Sequence, residues 1–161
     1  MVTLTLLTGL LASVAIQQTD TVVSVDPGSR LVIESFRGEV TIGTWDRNEM
    51  RILGNHSSRT HVDVRQSRSA VRLRADAWAG PAQVDYELTI PVSMDIDIRG
   101  TFISADIDGT QGEVRVFTTQ GDIDVRGGRG YIHLETVNGR VNLENADGNI
   151  DVQSTNGRVS V

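Results

Sequence analysis

The chain has 161 residues, no cysteine and a formal charge of −6. That length suits one domain, or a small cap on a repeat array. An acidic balance without a basic stripe argues against nucleic acid as a partner, and the lack of cysteine excludes disulfides, thiol catalysis and a lipid-modified cysteine.

Leu4 to Ile16 form an apolar run too short to span a bilayer comfortably. Small residues at Ser13 and Ala15 fit an A-x-A-like cleavage site, so residues 1–15 are expected to be a signal peptide. The competing reading is a hydrophobic first strand or helix. Gln17 to Asp20 reads as a linker, and Thr21 to Val25 as a strand ended by the turn Asp26-Pro27-Gly28. Leu31 to Phe36 comes next, then Gly38 to Ile42, which ends near Trp45 and the polar run Asp46 to Asn48. Met50–Leu53, His61–Arg65 and Ala70–Ala75 read as further strands, with loops at 54–59 and 76–81, the second carrying Trp78. Val84, Tyr86, Leu88 and Ile90 alternate with polar residues, and Pro91 closes that strand because it cannot donate to a ladder. Residues 16–92 are therefore expected to be a β-meander that caps the C-terminal half of the chain.

Residues 93–161 carry a repeat. Gly112, Gly121, Gly130, Gly139, Gly148 and Gly157 are each nine residues apart. Each is succeeded by two aliphatics separated by one residue, which is strand alternation. Two kinds of corner alternate, one at 118–120, 136–138 and 154–156, the other at 127–129 and 145–147, so the structural period is eighteen. Stacked copies predict an all-β fold, a parallel β-solenoid with two strands per coil. Its inward columns are Ala105/Ile123/Val141/Val159, Ile107/Val125/Leu143/Val161, Ile96/Val114/Ile132/Ile150 and Ile98/Val116/Leu134/Val152. Outside, Asp122 falls beside Arg140, Arg126 beside Glu144, and Arg115 near His133 and Asp151. Each glycine is expected to supply a turn conformation that a Cβ disfavours.

Chemistry is sparse. Asp95/Asp97, Asp106/Asp108 and Asp122/Asp124 place carboxylate pairs on an outer face, which a calcium site or a glycan-cleaving acid/base pair would need. They are interleaved with Arg, Asn and Ser, so a solvated strand face is the expectation. Gly127-Gly128-Arg129-Gly130 departs from a calcium β-roll, because Ile132 stands where Asp is needed. His56, His61 and His133 lack metal spacing. No catalytic residue, metal or cofactor is expected. Phe117, Tyr131, Trp45 and Trp78 are the candidate ligand face, as a sugar-stacking platform or as filling for the cap seam.

Residues 21–161 resemble the bacterial "putative adhesin" β-strand-repeat family, an envelope domain of unknown function. The likeness rests on Leu31 to Gly38 with Glu39 to Trp45 after it, on Val84 to Pro91, on Gly121 to Val125, and on the Asn-Gly corners at 138–139 and 156–157. It implies a β-helix at the envelope or outside the cell and a non-enzymatic role, and brings no catalytic residues.

The expectation is an exported protein of periplasm, cell surface or medium that binds or scaffolds. Its partners would be envelope glycans or other envelope proteins, with no nucleic acid and no transmembrane span. One alternative is self-assembly, in which an open C-terminal coil stacks on another copy. Another is a β-helix enzyme that cleaves glycans.

Overall fold

The computed structural model describes residues 16–161. The expected signal peptide at 1–15 lies outside the described residues. Among those residues every regular element is a strand, and thirteen strands form a single mixed sheet.

Two long strands organise it, β2 (Arg30–Trp45) and β7 (Asp95–Thr110). They pair in parallel from Arg30 opposite Asp95 to Ile42 opposite Ile107. Their first halves belong to one ladder and their second halves to another. The first ladder runs β5 (Ala70–Ala77), β2, β7, β8 (Val114–Gln120), β10 (Arg129–Asn138) and β12 (Asp147–Asn156), all parallel. The second runs β6 (Val84–Pro91), β2, β7, β9 (Ile123–Gly127), β11 (Val141–Glu144) and β13 (Val159–Ser160), again parallel. Antiparallel pairing joins only β1 (Ile16–Ser24) to β3 (Glu49–Ser57), β3 to β6, and β4 (Thr60–Gln66) to β5.

From β8 onward the register is eighteen residues. Val114 faces Ile132, which faces Ile150, and Ile123 faces Val141, which faces Val159. Alternation sends Ile96, Ile98, Val114, Val116, Ile132 and Leu134 inward, each at most 1% exposed. They share one core with Leu31, Ile33, Val40 and Ile42 of β2 and with the aliphatics of β6. Burial of each such side chain contributes about 1.5–3 kcal/mol relative to exposure.

Three expectations change. The first 92 residues are not a plain meander. β2 has only parallel partners, because its inward residues match those of β7, more than sixty positions away. Gln17 to Asp20 is not a linker but part of β1, an edge strand fixed by polar pairs such as Asp20–Arg51 at 3.0 Å. The glycines also serve a different purpose at several positions. At Gly139 φ is not positive, yet a Cβ there would lie 2.0 Å from the carbonyl oxygen of Gly121. A Cβ on Gly157 would lie 1.8 Å from that of Gly139. The column needs glycine because successive backbones touch at the corner.

A buried and a half-buried hydroxyl bind that same corner. Thr136 donates to the Gly121 carbonyl at 3.1 Å, and Ser154, eighteen residues on, donates to the Gly139 carbonyl at 2.9 Å. Asn156 donates to the Asn138 side chain at 3.0 Å. Unmatched acceptors taken out of water are costly, so these bonds help to fix the register of successive repeats.

Candidate ligand-binding face

Because β-strand side chains alternate, the residues between the buried aliphatics of the first ladder all share its outer face. These are Arg30, Val32 and Glu34 on β2, Asp95, Asp97 and Arg99 on β7, Glu113, Arg115 and Phe117 around β8, and Tyr131, His133 and Glu135 on β10. Adjacent strands lie about 4.8 Å apart, so neighbours in register touch.

Polar contacts run across the face from Arg30 to Asp151, with Asp97 and Arg99 as a separate pair. Arg30 reaches Asp95 at 3.2 Å and Glu113 at 3.7 Å. The Glu113 backbone N–H donates to Asp95 at 3.0 Å, and Arg115 donates to Glu113 at 2.9 Å. Arg115 also lies over the Tyr131 ring, 5.0 Å from its centroid, a cation–π contact. Tyr131 stacks with His133 at 6.2 Å, and His133 meets Asp151 at 3.0 Å. Arg99 donates twice to Asp97, at 3.0 and 3.3 Å, and that carboxylate raises the Arg99 pKa above its ordinary value. Asp97 is only 9% exposed, so its pairing holds the guanidinium in one orientation.

Three concavities open on this face. One of about 250 Å³ lies between Arg99, Arg115, Phe117 and His133, with Asp97 also lining it. A second of about 530 Å³ includes Arg30, Glu34, Arg72 and Asp95. A third of about 610 Å³ includes Phe36, Arg74, Thr101 and Phe117. Arg99 lines all three, so they are contiguous around it.

Of the four aromatic candidates, the structure brings Phe117 and Tyr131 to this face and leaves the tryptophans elsewhere. Trp45 donates to the Glu49 carbonyl at 2.6 Å under Arg47, and Trp78 stands 79% exposed beyond β5. Sequence reasoning missed Phe36, which packs edge-on against Phe102 at 5.4 Å, and it missed Arg99. The signal available was the Phe36/Phe102 and Glu34/Arg99 placement, which needs the β2–β7 register.

The Asp pairs divide between the ladders. Asp95 and Asp97 lie on the first, while Asp106, Asp108, Asp122 and Asp124 lie on the outer face of the second. Arg126 lies between Asp108 on β7 and Glu144 on β11 in register, and its ion pairs go to Asp106 and Asp108, at 3.2 and 3.4 Å. Asp122 pairs with Arg140 as expected, at 2.8 Å. The Arg140 backbone N–H, then its guanidinium, hold the Asp122 carboxyl below its ordinary range. A general acid needs the opposite shift. His56 contacts Thr19 at 3.0 Å, and His61 lies exposed on β4.

The sequence matches no protein-family model and no curated protein. Among solved structures, a "putative cell adhesion protein" from Clostridium sporogenes ATCC 15579 superposes with a TM-score of 0.56 at 10% identity, over 89% of this chain and 98% of that one. A "putative adhesin" from Parabacteroides distasonis ATCC 8503 gives a TM-score of 0.38 at 7% identity, over 89% of this chain and 77% of that one. The chain thus shares its all-β fold with the Clostridium sporogenes protein.

Proposed function

We propose that this chain is an exported, non-enzymatic protein of the cell envelope, adhesin-like, that binds an extended partner on the outer face around Arg99. Its site is the periplasm, the cell surface or the medium, after loss of residues 1–15. In this reading the two ladders are the two sides of a parallel β-solenoid. Residues 16–92 are its N-terminal region and 93–161 its repeats. The eighteen-residue registers support the solenoid, and the cell-adhesion name of the Clostridium sporogenes protein supports adhesion.

The observation that carries the binding reading is the meeting of three concavities at Arg99, on a face that mixes guanidinium groups with exposed Phe117. The test is retention of the protein on isolated envelope material. Changing Arg99→Ala and Phe117→Ala together should abolish retention, whereas Asp124→Ser on the opposite ladder should leave it intact. Equal retention of both variants, with both folded, would refute the reading.

A further inference from the structure

We propose that the partner bound around Arg99 is an acidic glycan whose sugar units carry carboxylates, which deepens the proposed function and rests on it. All fifteen Lys-or-Arg positions of the protein are arginine, and none is lysine. The three concavities hold five of them, against four carboxylates, on a chain whose formal charge is −6. Glu113, paired with Arg30 and Arg115, brings the carboxylates around these concavities to five, so this part of the face is locally balanced on a chain that is acidic as a whole. A balanced face of this kind suits an anion with widely spaced charges rather than a dense polyanion.

The chemistry fits a carboxylated ring in particular. Arg99 and Arg115 stand on adjacent strands, diagonal to each other, at the two sides of the 250 Å³ cleft. Each already spends part of its fork on a protein carboxylate, Asp97 and Glu113, and this orients the remaining N–H groups. His133 adds a further polar group, and Phe117, 41% exposed, offers its face to a sugar ring. Arg72 and Arg74 lie on β5, two strands beyond β7 at about 4.8 Å per strand, where a next unit of an extended chain would fall. Arg72 faces Arg65 directly across the β4–β5 pair; Asp63 pairs with Arg65 at 2.7 Å, and Arg72 has no carboxylate partner among the described residues.

The test is calorimetric titration of the purified protein with an oligouronate, with the same oligosaccharide after reduction of its carboxylates to hydroxymethyl groups, and with a sulfated oligosaccharide. The oligouronate should bind, the reduced form about tenfold or more weaker, and the affinity should fall with added salt. Arg115→Lys keeps the charge but loses the fork, and should weaken the oligouronate about tenfold. Phe117→Ala should weaken both forms. Equal binding of the reduced form, or tighter binding of the sulfated one, overturns the carboxylate assignment while leaving the face as the binding site. Failure of every saccharide, with envelope retention still dependent on Arg99 and Phe117, overturns the ligand class alone. Envelope retention independent of those residues would overturn the parent reading instead.

Discussion

Replacing Gly139 by alanine separates two reasons for a glycine. If it served only a turn conformation, its non-positive φ would let alanine fit, and the change would stabilise by about 0.4–1 kcal/mol through the unfolded chain. The structure predicts the reverse sign. The new Cβ would lie 2.0 Å from the Gly121 oxygen and 2.7 Å from its carbonyl carbon, both backbone atoms that no rotamer can move. Relief requires the two repeats to part at the corner. That movement strains the bonds from Gly121 N–H to the Asn138 carbonyl at 3.1 Å and from Ile123 N–H to the Arg140 carbonyl at 2.8 Å. Two ladder bonds at about 1 kcal/mol each, with an overpacking cost of about 1–3, give a loss of about 3–5 kcal/mol. Gly43→Ala is the control, since nothing lies within 4 Å of its Cβ position and its φ is not positive. It should gain up to about 1 kcal/mol. Urea unfolding monitored by circular dichroism measures both. A Gly139→Ala midpoint at or above that of the parent protein would refute the close-approach argument.

Other outcomes rest on the same geometry. Val125, fully buried between Ile107 and Leu143, cannot accept a carboxylate, so Val125→Asp should unfold the repeats while Asp124→Ser barely shifts the melting temperature. Thr136→Val should cost about 1–3 kcal/mol by removing the hydroxyl donated to Gly121, and Thr136→Ser should restore most of it. Asp122 has a folded pKa below its ordinary value, so its contribution is present above the unfolded carboxylate range and is lost as pH falls through the depressed folded value. Asp122→Asn should therefore be less stable than the parent protein at neutral pH, with the gap closing in acid. Thermal melts at stepped pH would show it, and a gap that widened in acid would contradict the assignment.

The repeat was legible because its register is written at a fixed interval. Val114, Ile132 and Ile150 recur eighteen residues apart, and the structure pairs them so. The N-terminal half was not. β2 meets β7 sixty-five residues later, and no local period relates Arg30 to Asp95. The binding face suffers from the same limit. Phe117 and Tyr131 can be placed outward by alternation, but only the β2–β7–β8 register sets Arg99 among three clefts. Trp45 closes a strand and Trp78 lies in a loop, where nothing in the sequence tells which face the side chain will favour. Gly121, Gly130 and Gly148 do take the positive φ expected of them, whereas Gly112, Gly139 and Gly157 are needed for close approach instead. Close approach to the preceding repeat depends on the partner backbone, which the sequence does not display.

The coil of eighteen residues is tested most directly by deletion. Removing residues 121–138 would set Gly139 where Gly121 now lies and bring Val141 opposite Ala105, Leu143 opposite Ile107 and Ile150 opposite Val114. Every inward position would stay aliphatic and every corner would keep its type. The expected product is a shorter protein with a single cooperative urea transition and a reduced slope, because less surface is exposed on unfolding. Removing only residues 121–129 would bring a strand of one ladder into the other and mismatch the corners, and should yield no cooperative transition. If the nine-residue deletion folded as cooperatively as the eighteen-residue one, the eighteen-residue coil would be wrong.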